Sequence, residues 1–393
     1  MNTPTEKSPR SDMSRSAITV SVIIPTFNRA DLLRETVQAV LDQTRPPDEI
    51  LIVDDGSDDH TQTVIASFAD AVRMLSKPNS GKADSLNQAI AATSGTHIWI
   101  VDDDDLPRPD ALATLTLLMS ENKGAELTYG RHIRFEQADQ KSPKTYKETG
   151  YWDTRPSEYF LIATMEDFFV HQPAMLVARS LYNRAGPFNT DMIASEDYDM
   201  LIRLAAEGQS ISTDKIIFEQ RVHAGVRGQK GHQFAAADRN AKWIDYDQRI
   251  FKAAFDRLPL TAYLPGGGPG EPLSAALTRT AQIQRASIMA RKKLWDHALQ
   301  DLRAVADGEH QSALNEVERN SLRRALLSKY GCDEVLTTPQ IKADLKQLAA
   351  TGPLGGSLVR GLGRSLVWHF RTEFMAGRPA RAMRFAALFL SLR

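Results

Sequence analysis

At 393 residues the chain exceeds the ordinary range of one domain, and its 42% hydrophobic content is enough for a real core. Its 48 basic and 49 acidic side chains leave a net charge of −1, which gives no electrostatic case for a nucleic-acid partner. A single cysteine, Cys332, excludes an intrachain disulfide and any cysteine-rich metal site.

Residues 1–17 are polar, lack an apolar signal-peptide core and are expected to be disordered. No stretch approaches the roughly 20 apolar residues that cross a bilayer, so the expectation is a cytoplasmic protein, held at most on a membrane face. Ile18 to Pro25 is rich in β-branched residues and reads as a first strand. Asn28, in the turn that follows, is a candidate cap for a helix carrying Leu32, Leu33, Val37, Val40 and Leu41. Glu49 to Val53 reads as a second strand and runs into Asp54-Asp55-Gly56-Ser57. A third, Val72 to Leu75, leads to Lys77-Pro78-Asn79-Ser80-Gly81-Lys82.

The fourth strand carries the strongest signal. His97-Ile98-Trp99-Ile100-Val101 runs straight into Asp102, Asp103, Asp104 and Asp105. Unpaired carboxylates are costly to bury, so the chain must surface there, at the carboxyl end of a strand, where open α/β sheets place ligands. If that segment stays extended, Asp102 and Asp104 point the same way and can share one hard divalent ion while Asp103 faces elsewhere. Strand and helix alternate four times in about 120 residues, the rhythm of a mostly parallel sheet covered on both faces.

The alternation then breaks. Glu126 to Phe135 reads as a strand, Glu136 to Thr149 as a polar, mobile surface segment, and Ser195-Glu196-Asp197-Tyr198-Asp199 as the start of a helix closed by Gly208. Lys215 to Val222 is a further expected strand. The Pro/Gly-rich stretch from Leu264 to Pro272 marks a boundary. The expected division is therefore a catalytic α/β domain over 18–260, a linker at 261–272, a helical domain at 273–350 and a basic amphipathic tail at 351–393. That tail has seven arginines against one acid, Glu373, with apolar residues interleaved. Two readings of it stand level: an interfacial helix on an anionic membrane, or an apolar face docked on the protein with its arginines in water.

The two carboxylate clusters at strand exits, 54–55 and 102–104, should lie at one edge of the sheet, an arrangement suited to a nucleotide with a metal-held diphosphate. Neither a GxxxxGK[ST] nor a GxGxxG loop is present, which removes P-loop and nicotinamide-binding readings. His223 reads as either a contact to the diphosphate or a structural histidine, and His171 as either an acceptor contact or a core residue.

In order and spacing, Val22-Ile23-Ile24-Pro25-Thr26-Phe27-Asn28-Arg29, Val53-Asp54-Asp55-Gly56-Ser57, Asn79-Ser80-Gly81-Lys82, Val101-Asp102-Asp103-Asp104-Asp105, Gly186-Pro187-Phe188, Ser195-Glu196-Asp197-Tyr198-Asp199 and Arg221-Val222-His223 resemble the motifs of family 2 glycosyltransferases. The resemblance covers about residues 18–225. It implies a GT-A fold, to which the helical patterns after residue 272 add a C-terminal helical region, and inverting transfer from a nucleoside-diphosphate sugar, most commonly a UDP-sugar. The implied acceptor is a glycan or a lipid-linked molecule in bacterial surface polysaccharide or glycoconjugate synthesis. The base-reading acid falls on Asp54 or Asp55, and Pro25, Thr26, Asn28, Arg29, Asn79 and Lys82 join the nucleotide site. The DxD element falls on Asp102-Asp103-Asp104, Asp103 standing where the family usually has a small residue. Asp104 is the foremost ligand of Mn²⁺ or Mg²⁺, with Asp102 and His223 beside it. Glu196-Asp197 supplies the general base, Asp197 in first place. The rival readings are a nucleotidyltransferase acting on sugar phosphates and a non-catalytic nucleotide-sugar-binding scaffold.

Overall fold

The structure, a computed structural model, describes residues 18–138, 142–222, 239–267 and 272–392. Its first half alternates β1 (Val20–Thr26), α1 (Ala30–Leu41), β2 (Glu49–Asp54), α2 (Thr61–Ala66), β3 (Arg73–Ser76), α3 (Lys82–Ala92) and β4 (His97–Ile100). It continues through β5 (Leu106–Pro107), α4 (Ala111–Glu121), β6 (Ala125–Glu136), β7 (Thr145–Thr149), α5 (Phe160–Glu166), β8 (Met175–Ala178), α6 (Arg179–Ala185), α7 (Glu196–Glu207) and β9 (Gln209–Arg221). These strands form one nine-stranded sheet in the order β3-β2-β1-β4-β8-β6-β9-β5, with β7 on the side of β6. The β3-β2-β1-β4 half is parallel, as its helical crossovers require.

Side-chain alternation sorts the strands onto two cores. Ile23, Leu51, Val53, Ile98 and Ile100 face one way, against α3, α6 and α7. Val22, Ile24, Ile50, Ile52 and Trp99 face the other, against α1, α2 and α4. Because β1, β2 and β4 run parallel, Thr26, Asp54 and the acids after Ile100 all emerge at one edge.

A third core is built by α8 (Arg239–Arg257), α9 (Ala275–Arg291), α10 (Trp295–Asp307), α11 (Glu316–Arg324), α12 (Glu334–Thr337), α13 (Pro339–Ala350), α14 (Pro353–Gly363), α15 (Ser365–Met375) and α16 (Pro379–Ser391). Described residues from both sides of the expected linker at 261–272 share this core. Tyr246, Ile250, Phe251 and Tyr263 from before that stretch lie in the same cluster as Ile283, Trp295 and Leu358 from after it. Leu161, Met165, Met192, Tyr198 and Ile202 join them, so α7 presents Met200, Leu201 and Leu204 to the sheet and Tyr198 and Ile202 to the helices.

One local expectation changes. The polar segment before residue 150 holds β7, paired antiparallel with the far end of β6, and all five of its residues are exposed. In the tail, an apolar face is docked on the protein, as one of its two readings expected. Leu354, Leu358, Leu362, Leu366, Phe385 and Leu388 are buried in the helical core, while Trp368, Phe374, Met375, Met383 and Leu390 are exposed.

Candidate active site

At the exit of β2, Asp54 and Asp55 are both buried, so each must find donors. Asp54 accepts from the Ser57 backbone N–H at 2.9 Å. Asp55 accepts from Lys77 Nζ, from Asn79 Nδ2 at 3.1 Å, and from the backbone N–H groups of Ser80 at 3.0 Å and Gly81 at 2.9 Å. Asp55 therefore buckles the 77–81 loop to the β2 exit, with Asn79 as one of its donors. Asn28 is not a helix cap. It sits at φ 53, and its side chain exchanges hydrogen bonds with Asp58, at 2.7 Å to the carboxylate and 2.8 Å from the backbone N–H, tying the β1 and β2 exits together.

The acids after β4 do not continue as an extended strand. A turn brings Asp105 N–H to the Asp102 carbonyl at 3.2 Å, and the alternation expected of Asp102, Asp103 and Asp104 no longer applies. Asp103 and Asp104 instead converge on Arg29, whose Nη1 donates to both at 2.9 and 2.8 Å. Asp103 also accepts from Thr26 Oγ1 at 2.8 Å, and burial pushes its carboxyl up to about 6 against the pull of Arg29. Asp105 is held by the Arg221 N–H at 3.1 Å, and Arg221 Nε reaches the Asp104 carbonyl at 3.3 Å. Pro25 lies in β1 opposite Val53 and has no N–H to offer a ladder or a ligand.

Lys82, first residue of α3, faces the second acidic motif as well as the first. Its Nζ donates to Asp102 at 2.5 Å and stands 4.0 Å from Glu196 Oε1. Burial disfavours the ammonium, but Asp102, Glu196 and Asp197 together outweigh that and raise it above the ordinary lysine range. At the start of α7, burial pushes Glu196 up to about 7, with Asp197 adding to the shift and Lys82 opposing it. Burial likewise raises Asp197, opposed by Lys82 and reinforced by Asp102. Asp197 is only partly covered, and it accepts from the Tyr198 backbone N–H at 2.8 Å. The DxD run and the Glu-Asp pair, far apart in sequence, thus stand around one lysine.

A family model described as "Glycosyl transferase family 2" matches residues 21–184. Residues 21–184 are a glycosyl transferase family 2 domain. The chain is 27% identical over 209 residues to an uncharacterized glycosyltransferase of Rickettsia prowazekii, covering 52% of this chain and 64% of that protein. It is 28% identical over 207 residues to the chondroitin synthase of Pasteurella multocida, covering 52% of this chain and 20% of that one. The chain thus spans less than two thirds of these relatives. In structure it is similar to S. aureus TarS, with a TM-score of 0.48 and 14% identity over 93% of this chain and 55% of that one.

The family match ends before Glu196-Asp197, so the geometry around Lys82 is what joins that pair to the glycosyltransferase domain. His223 lies outside the described residues. His171 stands edge-on to His132, ring centroids 4.7 Å apart, and to Phe168 at 4.8 Å, within an aromatic cluster. Residues that sequence reasoning passed over are Lys77, Arg221 as a clamp on the acidic turn, and Tyr198. A lysine just before a proline at a strand exit was the one legible hint.

The donor set suits a hard divalent ion in kind. Asp102 and Asp104 offer partly exposed carboxylate oxygens, and Mg²⁺-like ions commonly use one or two carboxylates together with substrate phosphates. Among the described residues no third His, Cys, Asp or Glu completes a cage. Lys82 and Arg29 meanwhile neutralise the acids.

Proposed function

We propose that the chain is an inverting glycosyltransferase, carrying one sugar from a nucleoside-diphosphate donor, a UDP-sugar first, to a hydroxyl of a glycan or lipid-linked acceptor. The observation that supports it most is the position of Lys82, 2.5 Å from Asp102 and 4.0 Å from Glu196, between the diphosphate-side acids and the candidate base. Asp197 takes the proton of the acceptor hydroxyl as that oxygen bonds to the anomeric carbon. The bond from that carbon to the diphosphate breaks on the opposite face, and the nucleoside diphosphate leaves with the electron pair. The raised pKa of Asp197 suits a base that must bind a proton and still be ionised near neutrality. A Mn²⁺ or Mg²⁺ ion held by Asp102 and Asp104 would offset charge growing on the leaving phosphate. Lys82 and Arg29, now on those carboxylates, supply cations at the same edge, and Thr26 holds Asp103 in place.

The test is a screen of sugar nucleotides for Mn²⁺-dependent thermal stabilisation, followed by product analysis of those that bind. Free nucleoside diphosphate supports the reading. Pyrophosphate would reassign the chain to nucleotidyl transfer, and binding without turnover across a broad acceptor panel would make it a scaffold.

The acceptor side carries a second part of the proposal, contact with an anionic membrane. Arg364, just before α15, and Val367, Trp368, Arg371, Phe374 and Met375 on it fall on one outward stripe, and on α16 Met383, Arg384 and Leu390 are exposed. Glu373, the one acid of this tail, is turned inward onto Arg378 and Arg381. No helix among the described residues is long and apolar enough to span a bilayer. Vesicles containing phosphatidylglycerol should sediment the protein and neutral ones should not, and Trp368→Ser with Met375→Ser should abolish the difference. Equal sedimentation of the variant overturns this part alone.

A further inference from the structure

Lys292 is a buried cation for which glycosyl transfer has no direct use. It follows the last residue of α9 and is 2% exposed. Its Nζ donates to the Tyr198 hydroxyl at 2.8 Å, stands 3.5 Å from Asp247 Oδ2 on α8, and lies 4.9 and 4.6 Å from the ring centroids of Tyr198 and Phe251. The Tyr198 hydroxyl in turn donates to the Thr164 carbonyl at 2.8 Å, and Tyr330 donates to Asp247 at 3.2 Å. Burial pulls Lys292 down to about 8, Asp247 and Asp167 oppose the fall, and Lys329 and Arg291 add to it. An apolar residue of similar size at such a place is often neutral or stabilising, so a buried lysine here calls for a reason beyond packing.

What it grips supplies the reason. Tyr198 is the residue after Asp197, and its backbone N–H holds the Asp197 carboxylate at 2.8 Å. The chain enters α7 through Ser195 at φ 62 and ψ 18, left-handed backbone that a serine adopts at a cost of about 1–2 kcal/mol. Strain of this kind persists only where the surroundings hold the segment on more than one side. On the sheet side, Met200, Leu201 and Leu204 hold the helix further along. On the other side Tyr198, in the first turn, is locked by Lys292, by the Thr164 carbonyl and by Phe168, whose ring centroid lies 5.0 Å away.

We propose that Lys292, braced by Asp247, is a positioning residue for the general base. Through the Tyr198 hydroxyl it sets the first turn of α7, which makes the C-terminal helical unit a working part of the transfer site. The proposal rests on Asp197 being that base.

The experiment uses the full chain and a donor and acceptor pair found by the screen above. Lys292→Met and Tyr198→Phe, the second removing the hydroxyl and keeping the ring, are each measured alone and combined with Asp197→Asn. Each single variant is expected to lower kcat tenfold to a hundredfold, the range for a reacting group displaced by about 1 Å, with the donor KM within twofold. In the Asp197→Asn background neither should lower the residual rate further, because the group being positioned is gone. An unchanged kcat in Tyr198→Phe overturns the proposal, and so does an undiminished effect in the Asp197→Asn background. Should Lys292→Met not fold, Tyr198→Phe decides. Full activity in Asp197→Asn alone would instead remove Asp197 as the base, a different failure read from a different variant.

Discussion

The proposed donor side and base side of the site are built differently. On the donor side, each acid is held by neighbours within the sheet domain: Asp55 by the 77–81 loop, Asp103 and Asp104 by Arg29, Asp105 by Arg221. On the base side, α7 begins with a strained serine and is anchored by Tyr198 in a core made largely by helices after residue 239. In the proposed reading, a strand exit with its local loops suffices to hold the nucleotide. In the proposed site, aiming the base would draw on distant parts of the chain, the C-terminal helices against which Tyr198 packs.

The largest effect expected from this contrast is at Asp197. Asp197→Asn should lower kcat by about 10²–10⁴ while donor affinity by calorimetry stays within twofold. In the parent, the rate should fall as pH drops through the pKa of the base, because only the ionised carboxylate accepts a proton. That acid limb should lie above the ordinary aspartate range, the direction in which burial shifts Asp197. A limb at or below it would remove Asp197 from the role.

Next in size is Arg279→Met. Arg279 on α9 and Glu318 on α11 pair at 2.8 Å with side chains 5% and 0% exposed, and leaving the buried Glu318 without its cation should cost about 3–5 kcal/mol in urea unfolding. If the base side depends on the helices as the shared core implies, activity and helical signal should be lost in one transition. Two separated transitions, with activity surviving the first, would break the contrast.

Asp104→Ala tests the donor side. It should weaken Mn²⁺-dependent nucleotide binding by at least about tenfold and leave the unfolding midpoint nearly in place, since Asp104 is a partly exposed partner of Arg29. Unaltered metal dependence would move the ligand role to another acid of the run. The smallest effect belongs to Ser195→Gly, which relieves the left-handed strain but frees the unfolded chain, for a net change within about 1 kcal/mol. With Tyr198 still locked, kcat should stay within twofold. A larger loss would show that Ser195 itself takes part in the site.

Where the sequence could be read and where it could not follows from how each segment is buried. β1, β2 and β4 have continuous apolar runs because both faces of a parallel sheet are covered, and each run stops at acids or a proline that mark its exit. β7 left no such mark, since an exposed edge pairing needs no apolar alternation. α5 is buried at all seven positions, so no 3.6-residue period distinguished it from a strand. The acids at 102–105 were legible as a site, but their facing directions were not, because a turn and the reach of Arg29 set them.

From sequence alone one could read the alternation that makes the sheet, the edge where its carboxylates emerge, and the family of the first half, because apolar runs, turn residues and local charge write these into neighbouring positions. Only the tertiary structure could put Lys82 between Asp102 and Glu196, or Lys292 under Tyr198. Those pairings depend on how separate helices pack across three cores. Side chains from 20 to more than 100 residues apart leave no mark of their partner in the local pattern, since a buried lysine reads like any other until the fold shows which hydroxyl it holds.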